Sequence, residues 1–371
     1  MLRDDQDFRL AFSMISGVNA STGRILLSKL SDERRFFTEP AHTLKALTAM
    51  NDRLLADDYR NNLMLRAERE RAFTDNSHFR RLYFTDTDAY PRRLAECNDA
   101  PAMLYSLGSC SLDSPHMVAI VGTRHATEYG AEAARRIVER LAESVEGVVI
   151  VSGLAYGIDV AAHRAALQCN IPTVAVVAHP LNTMYPADHR DVASRIVAQG
   201  GAIVSEYSTG EAVHRGNFLA RNRIIAGLCD LTIVVESDLR GGAISTANCA
   251  RAYDREVMAV PGRIGDKYSR GCNLLIQNCT ASMLADPAAV PAMMGWPVRP
   301  KEGEQQSLKL ELPPDQEMLL KLISDNPNLT VNDIVARTGM PYSHLADLLF
   351  QLEMAGLVSA LPGSRYAALN F

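Results

Sequence analysis

The chain has 371 residues, a formal charge of -5 at pH 7 and a hydrophobic content of 47%. Its length predicts two or three domains, and its composition is sufficient for a large buried core. The net negative charge excludes a protein that coats nucleic acid through bulk positive charge, so any nucleic-acid site must be a local patch. No long uncharged apolar segment occurs, which predicts a cytoplasmic protein without a membrane partner.

The N-terminal part of the chain, residues 1–75, is expected to form a small helical domain. Residues 8–30 contain apolar helical stretches around the turn SGVNAS, as in SAM or helix-hairpin-helix domains. A helix-hairpin-helix would need a second glycine where Asn19 stands, so the motif is degenerate. DNA contact and a packing or helix-capping role both stay open for this turn.

The middle of the chain, residues 76–291, alternates between two kinds of segment. Six short apolar strands are each followed by an amphipathic helical stretch, a pattern typical of a parallel sheet covered on both faces. The sequence therefore predicts an α/β fold, with a doubly wound, Rossmann-like parallel sheet. The six strands are HMVAIVG (116–122), GVVIVSG (147–153), TVAVVA (173–178), GAIVSE (201–206), LTIVVES (231–237) and EVMAVPG (256–262).

The segments that follow these strands are rich in glycine, serine, threonine and arginine. Ligands of open α/β sheets bind beyond the carboxyl ends of the strands, where glycine permits close backbone approach and arginine can contact phosphate. One such segment could simply turn the chain, but six together favour a polar, partly cationic binding edge. The segments are VGTRHATEYG, VSGLAYGID, AHPLNTMYP, SEYSTG, VESDLRGGAIST and VPGRIGDKYSRGCN.

Motifs for catalysis and for cofactors are missing. GxxxxGK[ST] does not occur and VGTRHATEYG lacks the spacing of GxGxxG, so nucleotide hydrolysis and a cofactor have no support. Ser152, Asp159 and His163 could be imagined as a triad, but Ser152 is not in GxSxG. A turn serine, a helix-start aspartate and a surface histidine are favoured. The seven cysteines and nine histidines lack ligand spacing, so we expect no metal and no catalytic residue.

The stretch FLARNRIIAGL carries Arg221 and Arg223 at the start of a predicted helix. If this helix begins near Asn217, Arg221 falls on the stripe that faces the sheet and Arg223 falls roughly opposite. Because a buried unpaired arginine is costly, we expect Arg221 to extend over the sheet edge into the ligand crevice. The alternative for either arginine is an internal ion pair, for instance with Glu206 or Glu236.

The C-terminal part divides into a predicted linker, residues 292–312, and a predicted winged helix, residues 313–371. Prolines and the run KEGEQQ indicate the linker. The order after it is helix, helix, turn, helix and two short strands joined at Pro362-Gly363, which resembles a winged helix-turn-helix. Residues 311–371 carry three basic and seven acidic residues, a net charge of -4. A winged helix that binds duplex DNA alone should be basic, so we expect protein contact or dimer support.

Eight blocks between residues 116 and 281 resemble, in order, the bacterial DNA-processing protein A family (DprA, also called Smf). Residues 90–108 also resemble the segment that leads into the Rossmann-like domain of that family. The chain departs from the family pattern at Tyr156, where a basic residue is usual, and at His179-Pro180, where glycine is usual. The blocks are IVGTRHATEYG, VSGLAYGIDVAAH, YPADHR, GAIVSEY, FLARNRIIAGL, VVES, GGAISTA and VPGRIGDKYSRGCNLLIQ.

This resemblance implies a function. Members of the family bind single-stranded DNA, protect incoming DNA during natural transformation and load the RecA recombinase onto the strand. The resemblance therefore implies a homodimeric DNA-binding protein that is not an enzyme and needs no nucleotide cofactor.

The resemblance and the strand ends together predict a DNA site at the sheet edge. Arg124 follows the first strand after a Gly-Thr turn, which aims its guanidinium at a phosphate. Phe218 precedes Arg221 by three positions and is expected to stack on a base, although it also fits the buried stripe. The predicted DNA-binding residues are Gly122, Thr123, Arg124, Ser152, Gly153, Arg215, Phe218, Arg221, Asn222, Arg223, Lys267, Arg270 and Asn273.

The segment NLLIQNCTASML, residues 273–284, is the predicted dimer contact. It is more apolar than one helix face needs, and the dimer contact of the family maps near it. Packing of this segment against its own sheet is the alternative. The predicted dimer residues are Leu274, Leu275, Ile276, Met283 and Leu284.

An enzyme on the same scaffold is the competing hypothesis. A nucleotide N-glycosidase could use Glu206 or Glu236 as its acid–base group. The sequence lacks the PGGxGT loop expected of the nucleotide phosphoribohydrolases that share this scaffold. The DNA-binding protein is therefore favoured.

Overall fold

The computed structural model describes residues 4–299, 312–326, 329–355, 357–361 and 364–368. The chain divides into two compact units, and the division falls after Arg299. Residues 292–299, predicted as the start of a linker, belong to the first unit, where the Trp296 ring lies 4.6 Å from the His116 ring. The rest of the predicted linker, residues 300–311, lies outside the described residues.

The first unit begins with six helices. Asn19 caps the second of these, because its side-chain oxygen accepts a hydrogen bond from the Thr22 N–H at 2.9 Å while Thr22 Oγ1 accepts from the Asn19 N–H. The helices share a hydrophobic core with one face of the sheet. The helices are α1 (Asp5–Ser13), α2 (Ala20–Leu30), α3 (Glu33–Thr38), α4 (Ala41–Thr48), α5 (Asp52–Leu55) and α6 (Asp57–Asp75).

A nine-stranded sheet forms the centre of the first unit, in the order β1-β2-β6-β5-β4-β3-β7-β8-β9. The strands from β6 to β9 are parallel, and β1 and β2 extend the sheet by antiparallel pairing. All six strands expected from the sequence are present. The strands are β1 (Arg80–Tyr83), β2 (Met103–Gly108), β3 (His116–Val121), β4 (Val148–Ser152), β5 (Thr173–Val176), β6 (Ala202–Ser205), β7 (Leu231–Val234), β8 (Glu256–Ala259) and β9 (Ser282–Met283).

Helices cover both faces of the sheet, which confirms the doubly wound α/β fold. Alternate residues of β3 point to opposite faces: Val118 and Ile120 pack with α8 and α9, whereas Met117 and Ala119 share a core with α11 and α12. The strand order reverses between β3 and β7, which is where ligands of such sheets bind. The helices are α7 (Arg92–Ala95), α8 (Glu128–Ser144), α9 (Ile158–Gln168), α10 (Arg190–Ala198), α11 (Arg215–Gly227), α12 (Gly242–Ala252), α13 (Arg270–Gln277) and α14 (Val290–Met294).

The second unit is a winged helix, as predicted. It consists of α15 (Pro314–Asp325), α16 (Val331–Thr338), α17 (Tyr342–Met354) and the antiparallel pair β10 (Val358–Leu361) and β11 (Arg365–Ala368). The predicted joint between these two strands, Pro362-Gly363, lies outside the described residues. None of the helices in the described ranges is long and apolar enough to cross a membrane.

Candidate nucleic-acid interface

The guanidinium of Arg124 lies over the ring of Phe218, with its central carbon 5.0 Å from the ring centroid. Arg124 follows β3, and Phe218 lies in the first turn of α11, which follows β6. Arg124 is exposed, and no carboxylate of the described residues lies within ion-pair distance of it. A cation held on an aromatic face without a counter-charge can bind an anion such as phosphate.

Aromatic side chains surround this pair. The Tyr185 ring lies edge-on to the Phe218 ring, with centroids 5.5 Å apart. Tyr156 is held by a 2.8 Å hydrogen bond from its hydroxyl to Asp188. Tyr156 and Tyr185 are 42% and 50% exposed, so their rings are accessible to a ligand. We call the concavity formed here the crevice; it is lined by Arg124, Gly153, Ala155, Tyr156, Ala178, Tyr185, Pro186 and Phe218.

The loop that carries Arg124 is fixed from below by a buried carboxylate. Glu236 accepts hydrogen bonds from the Thr127 N–H at 2.9 Å and from the Thr127 hydroxyl at 2.6 Å. The Thr123 N–H donates to the Glu236 carbonyl at 2.7 Å. Gly122 lies so close to Ile158 that a Cβ on it would be 2.4 Å from that side chain. The loop after β3 is therefore held rigidly, and Arg124 projects from it.

The floor of the crevice is the loop after β4. The Ser152 hydroxyl is fully buried and donates to the Ile120 carbonyl at 2.6 Å, so its proton is not available to a ligand. A Cβ on Gly153 would lie 2.4 Å from the Arg221 guanidinium, so a side chain at this position would displace that group. Ser152 and Gly153 shape the floor. Ser152 was predicted to bind DNA, but its side chain is not accessible to a ligand.

Arg221 does not extend into the crevice, which corrects the sequence prediction. It is 4% exposed, and its Nη1 donates to the Gly153 carbonyl at 2.7 Å and to the Val176 carbonyl. The reason is the start of α11: this helix begins at Arg215, so Arg221 lies in its second turn and points at the sheet. Burial lowers the pKa of Arg221, and the negative charge of Asp159 opposes this effect.

The next two residues of α11 are also engaged inside the protein. Asn222 is buried and donates to the Gly242 carbonyl at 3.1 Å. Arg223 forms an ion pair with Glu206, which is the structural alternative that the sequence left open. Burial raises the pKa of Glu206, and the neighbouring Arg223 opposes it. Residues 221–223 thus stabilise the structure beneath the crevice through internal contacts.

Other predicted DNA-binding residues lie along the same edge. Arg215 is exposed at the first position of α11. Lys267 is exposed and its Nζ lies 5.3 Å from the Tyr268 ring centroid, while Arg270 forms a 2.9 Å ion pair with Asp238. The Asn273 side chain bonds to the N–H and the carbonyl of Gly262, so its polar atoms close the loop after β8.

The apolar segment predicted as a dimer contact divides into two sets. Leu275 and Leu284 are 7% and 3% exposed and belong to the hydrophobic cores, so their assignment to a dimer contact is wrong. Leu274 and Met283 are 41% and 54% exposed, and Ile276 is half-buried. In α13, one face, which includes Leu275, packs against the sheet, whereas both residues of the edge strand β9 are exposed.

The candidate catalytic groups are occupied by structural contacts. His163, predicted at the surface, is fully buried, and its Nδ1 lies 2.8 Å from the Thr173 hydroxyl. Burial lowers the pKa of His163 to about 3, so it is neutral at pH 7. Asp159 is buried as well, which raises its pKa, while Arg221 lowers it. Among the residues that the structure describes, no three histidine, cysteine, aspartate or glutamate side chains could together hold a metal ion.

Sequence reasoning missed two residues of the crevice, Tyr156 and Tyr185. Both lie in loops, where neither periodicity nor an apolar stripe indicates the direction of a side chain. The signal that could have found them was position: both follow central strands of the parallel sheet, as Arg124 does.

Comparison with known proteins supports one family throughout the chain. Residues 81–294 match the DNA recombination-mediator protein A family, and residues 303–364 match the DprA winged helix domain. Protein Smf of Escherichia coli (strain K12) is 37% identical over 288 residues, which cover 75% of each chain. Protein Smf of Synechocystis is 32% identical over 99% of each chain.

Solved structures agree with this match. The X-ray structure of DNA processing protein A (DprA) from Streptococcus pneumoniae aligns with a TM-score of 0.65 at 31% identity, covering 79% of this chain and 98% of that one. DNA processing protein A from Helicobacter pylori, whose structure describes a single-stranded DNA binding mode, aligns with a TM-score of 0.52 at 31% identity over 59% and 96%. The chain belongs to the DNA recombination-mediator protein A family.

Proposed function

We propose that this protein binds single-stranded DNA at the crevice and acts as a recombination mediator. The observation that carries the proposal is the Arg124–Phe218 pair, a cation over an aromatic ring at the carboxyl end of a parallel sheet. Sites that bind single strands without sequence preference combine a positive groove with aromatic platforms for the bases. The pair supplies both parts within one contact.

Different residues of the crevice would contact different parts of the DNA. Arg124 and Arg215 are exposed cations and would neutralise phosphates. Phe218, Tyr156 and Tyr185 offer ring faces or edges to bases. Unpaired bases alone can reach such rings, because in a duplex the base faces are stacked on one another. The crevice therefore favours a single strand over a duplex.

Both candidate acid–base residues, Glu206 and Glu236, are engaged in contacts within the protein, which fits binding without catalysis. Glu206 is paired with Arg223, and Glu236 accepts hydrogen bonds from Thr127. An N-glycosidase would need a carboxyl group facing its substrate. The engagement of both groups supports the DNA-binding function over the enzymatic alternative.

We extend the proposal to the partners of this protein. The Helicobacter pylori relative has a single-stranded DNA binding mode, and membership of the same family supports this activity here. The family is one of recombination mediators, which supports loading of the RecA recombinase onto the bound strand. Protection of that strand during natural transformation is part of the same proposal. Leu274 on α13 and Met283 on the edge strand β9 are both exposed, which supports a homodimer.

The test is a competition between single-stranded and duplex DNA. Labelled oligo(dT) is titrated with the full-length protein, and unlabelled single strand or duplex of equal length is then added. The proposal expects the single strand to displace the label at much lower concentration than the duplex. Equal competition by both, or no binding of oligo(dT), contradicts it. Incubation with nucleoside monophosphates in parallel tests the enzymatic alternative through release of free base.

A further inference from the structure

A second group of aromatic and cationic side chains lies beside the crevice on the same edge. His125 and Tyr268 have ring centroids 6.2 Å apart, and their rings are 26° from parallel. Lys267 adds a cation, with its Nζ 5.3 Å from the Tyr268 centroid. We call these three residues the outer cluster. His125 and Lys267 are exposed and Tyr268 is half-buried, so the cluster faces solvent.

The loop that carries Lys267 and Tyr268 has fixed ends and an exposed tip. Its ends are closed by the Asn273 side chain, and the Tyr268 carbonyl accepts a 2.6 Å hydrogen bond from the Ser237 N–H. At the tip, Ile264 is 100% exposed. A firmly anchored loop that presents cations, a ring and an apolar side chain to solvent has the composition of a binding loop.

The outer cluster and the crevice are joined by one peptide bond. Arg124 and His125 are consecutive, yet Arg124 lies over Phe218 and His125 lies beside Tyr268. A DNA strand that crosses the loop after β3 would therefore meet a ring and a cation on one side of this loop, and a ring and a cation on the other side. The two groups repeat the same chemistry at adjacent places on one edge.

We propose that the outer cluster is a second stacking subsite for the same DNA strand. It takes a base beyond those bound at the crevice, on the rings of His125 and Tyr268, while Lys267 neutralises a phosphate. This inference rests on the proposed function of the crevice. The inference also gives a path for the DNA strand. The DNA runs from the loops that follow β4, β5 and β6, past the loop after β3, to the loop after β8.

A length series with matched variants tests the subsite. Affinity of the full-length protein is measured for oligo(dT) of about 5 and about 16 nucleotides, the range of site sizes seen in single-strand binders. Tyr268→Leu removes the ring, and Tyr268→Phe retains it. Tyr268→Leu should weaken binding of the longer strand about tenfold, the loss of one stacked base, and leave the shorter strand unchanged. Tyr268→Phe should bind both lengths as the wild type does.

The outcomes separate this inference from the function on which it rests. If Tyr268→Leu binds both lengths normally while Arg124→Ala weakens both, the subsite is wrong and the crevice stands. If Tyr268→Leu weakens both lengths equally, the ring belongs to the crevice and a separate subsite is again wrong. If the wild type binds neither length, the proposed function itself fails.

Discussion

The Arg221 guanidinium donates a 2.7 Å hydrogen bond to the Gly153 carbonyl and so connects α11 to the floor of the crevice. The contact is buried, and the negative charge of Asp159, in the first turn of α9, attracts the guanidinium. The two carbonyl hydrogen bonds of Nη1 and the negative charge of Asp159 offset the cost of burying this charge. Arg221 therefore affects the binding site by fixing the shape of the crevice floor, without contacting a ligand.

Arg221→Met should lower the free energy of unfolding by about 3–5 kcal/mol, because it leaves buried carbonyls and Asp159 without their partner. Denaturant unfolding measures the change, with Arg215→Met as the exposed control that should unfold as the wild type does. Arg221→Met protein that remains folded should retain oligo(dT) affinity to within a few-fold. Normal stability with lost binding would show instead that Arg221 contacts DNA directly.

Phe218→Ala should weaken oligo(dT) binding about tenfold or more, since stacking on an aromatic ring contributes about 1–3 kcal/mol per base. The dependence of affinity on salt should change little, because no phosphate contact is removed. Phe218→Leu is the matched variant: it restores apolar volume but not the ring, and should bind weakly as well. If affinity falls only in step with thermal stability in both variants, Phe218 is a packing residue.

His163 should make stability depend on pH. Its pKa is about 3 in the folded chain and 6.5 ordinarily, so the unfolded chain takes up a proton in this window that the folded chain does not. Stability should therefore fall as the pH drops below about 6.5.

His163→Asn retains a donor for the Thr173 hydroxyl and removes the titrating group. Between about pH 6.5 and pH 5 the wild type should lose about 1–2 kcal/mol more than this variant. Denaturant unfolding at a series of pH values measures the difference. Parallel pH profiles for the two proteins would contradict the prediction.

The proposed dimer should depend on exposed residues of the segment 273–284 and not on its buried ones. Leu274→Asp combined with Met283→Asp should give a monomer in sedimentation at micromolar concentration, with little loss of stability. Leu275→Ala should lower the free energy of unfolding by about 2–5 kcal/mol and leave association intact in the folded fraction. A wild-type monomer at that concentration would overturn the dimer.

Much of the fold followed from the sequence because its signal is local. Each central strand is a short, mostly apolar run, so all six could be located without tertiary information. The strands β1 and β2 could not: their burial depends on packing with the N-terminal helices, which the chain order alone does not reveal. The Arg124 loop was found for the same local reason, since a glycine turn directly follows a strand.

The errors in the site have equally specific causes. The N-cap of α11 is His214 and not Asn217, so Arg221 lies in the second turn instead of the first, and the expected ligand contact is a buried support. The predicted surface position of His163 is wrong because α9 is buried around most of its circumference. Leu275 and Leu284 were grouped with exposed neighbours because composition does not indicate which face of a segment is buried.

The salt dependence of oligo(dT) binding by wild type and Arg124→Ala tests the central claim most directly. Arg124 is exposed and forms no ion pair among the described residues, so its removal should leave thermal stability unchanged. We predict weaker binding and a slope of log affinity against log salt that is smaller by about 0.7, the value for one phosphate contact on a single strand. Arg124→Lys, the control, should retain most of the slope. Unchanged affinity and slope in folded Arg124→Ala would contradict a DNA site at the crevice.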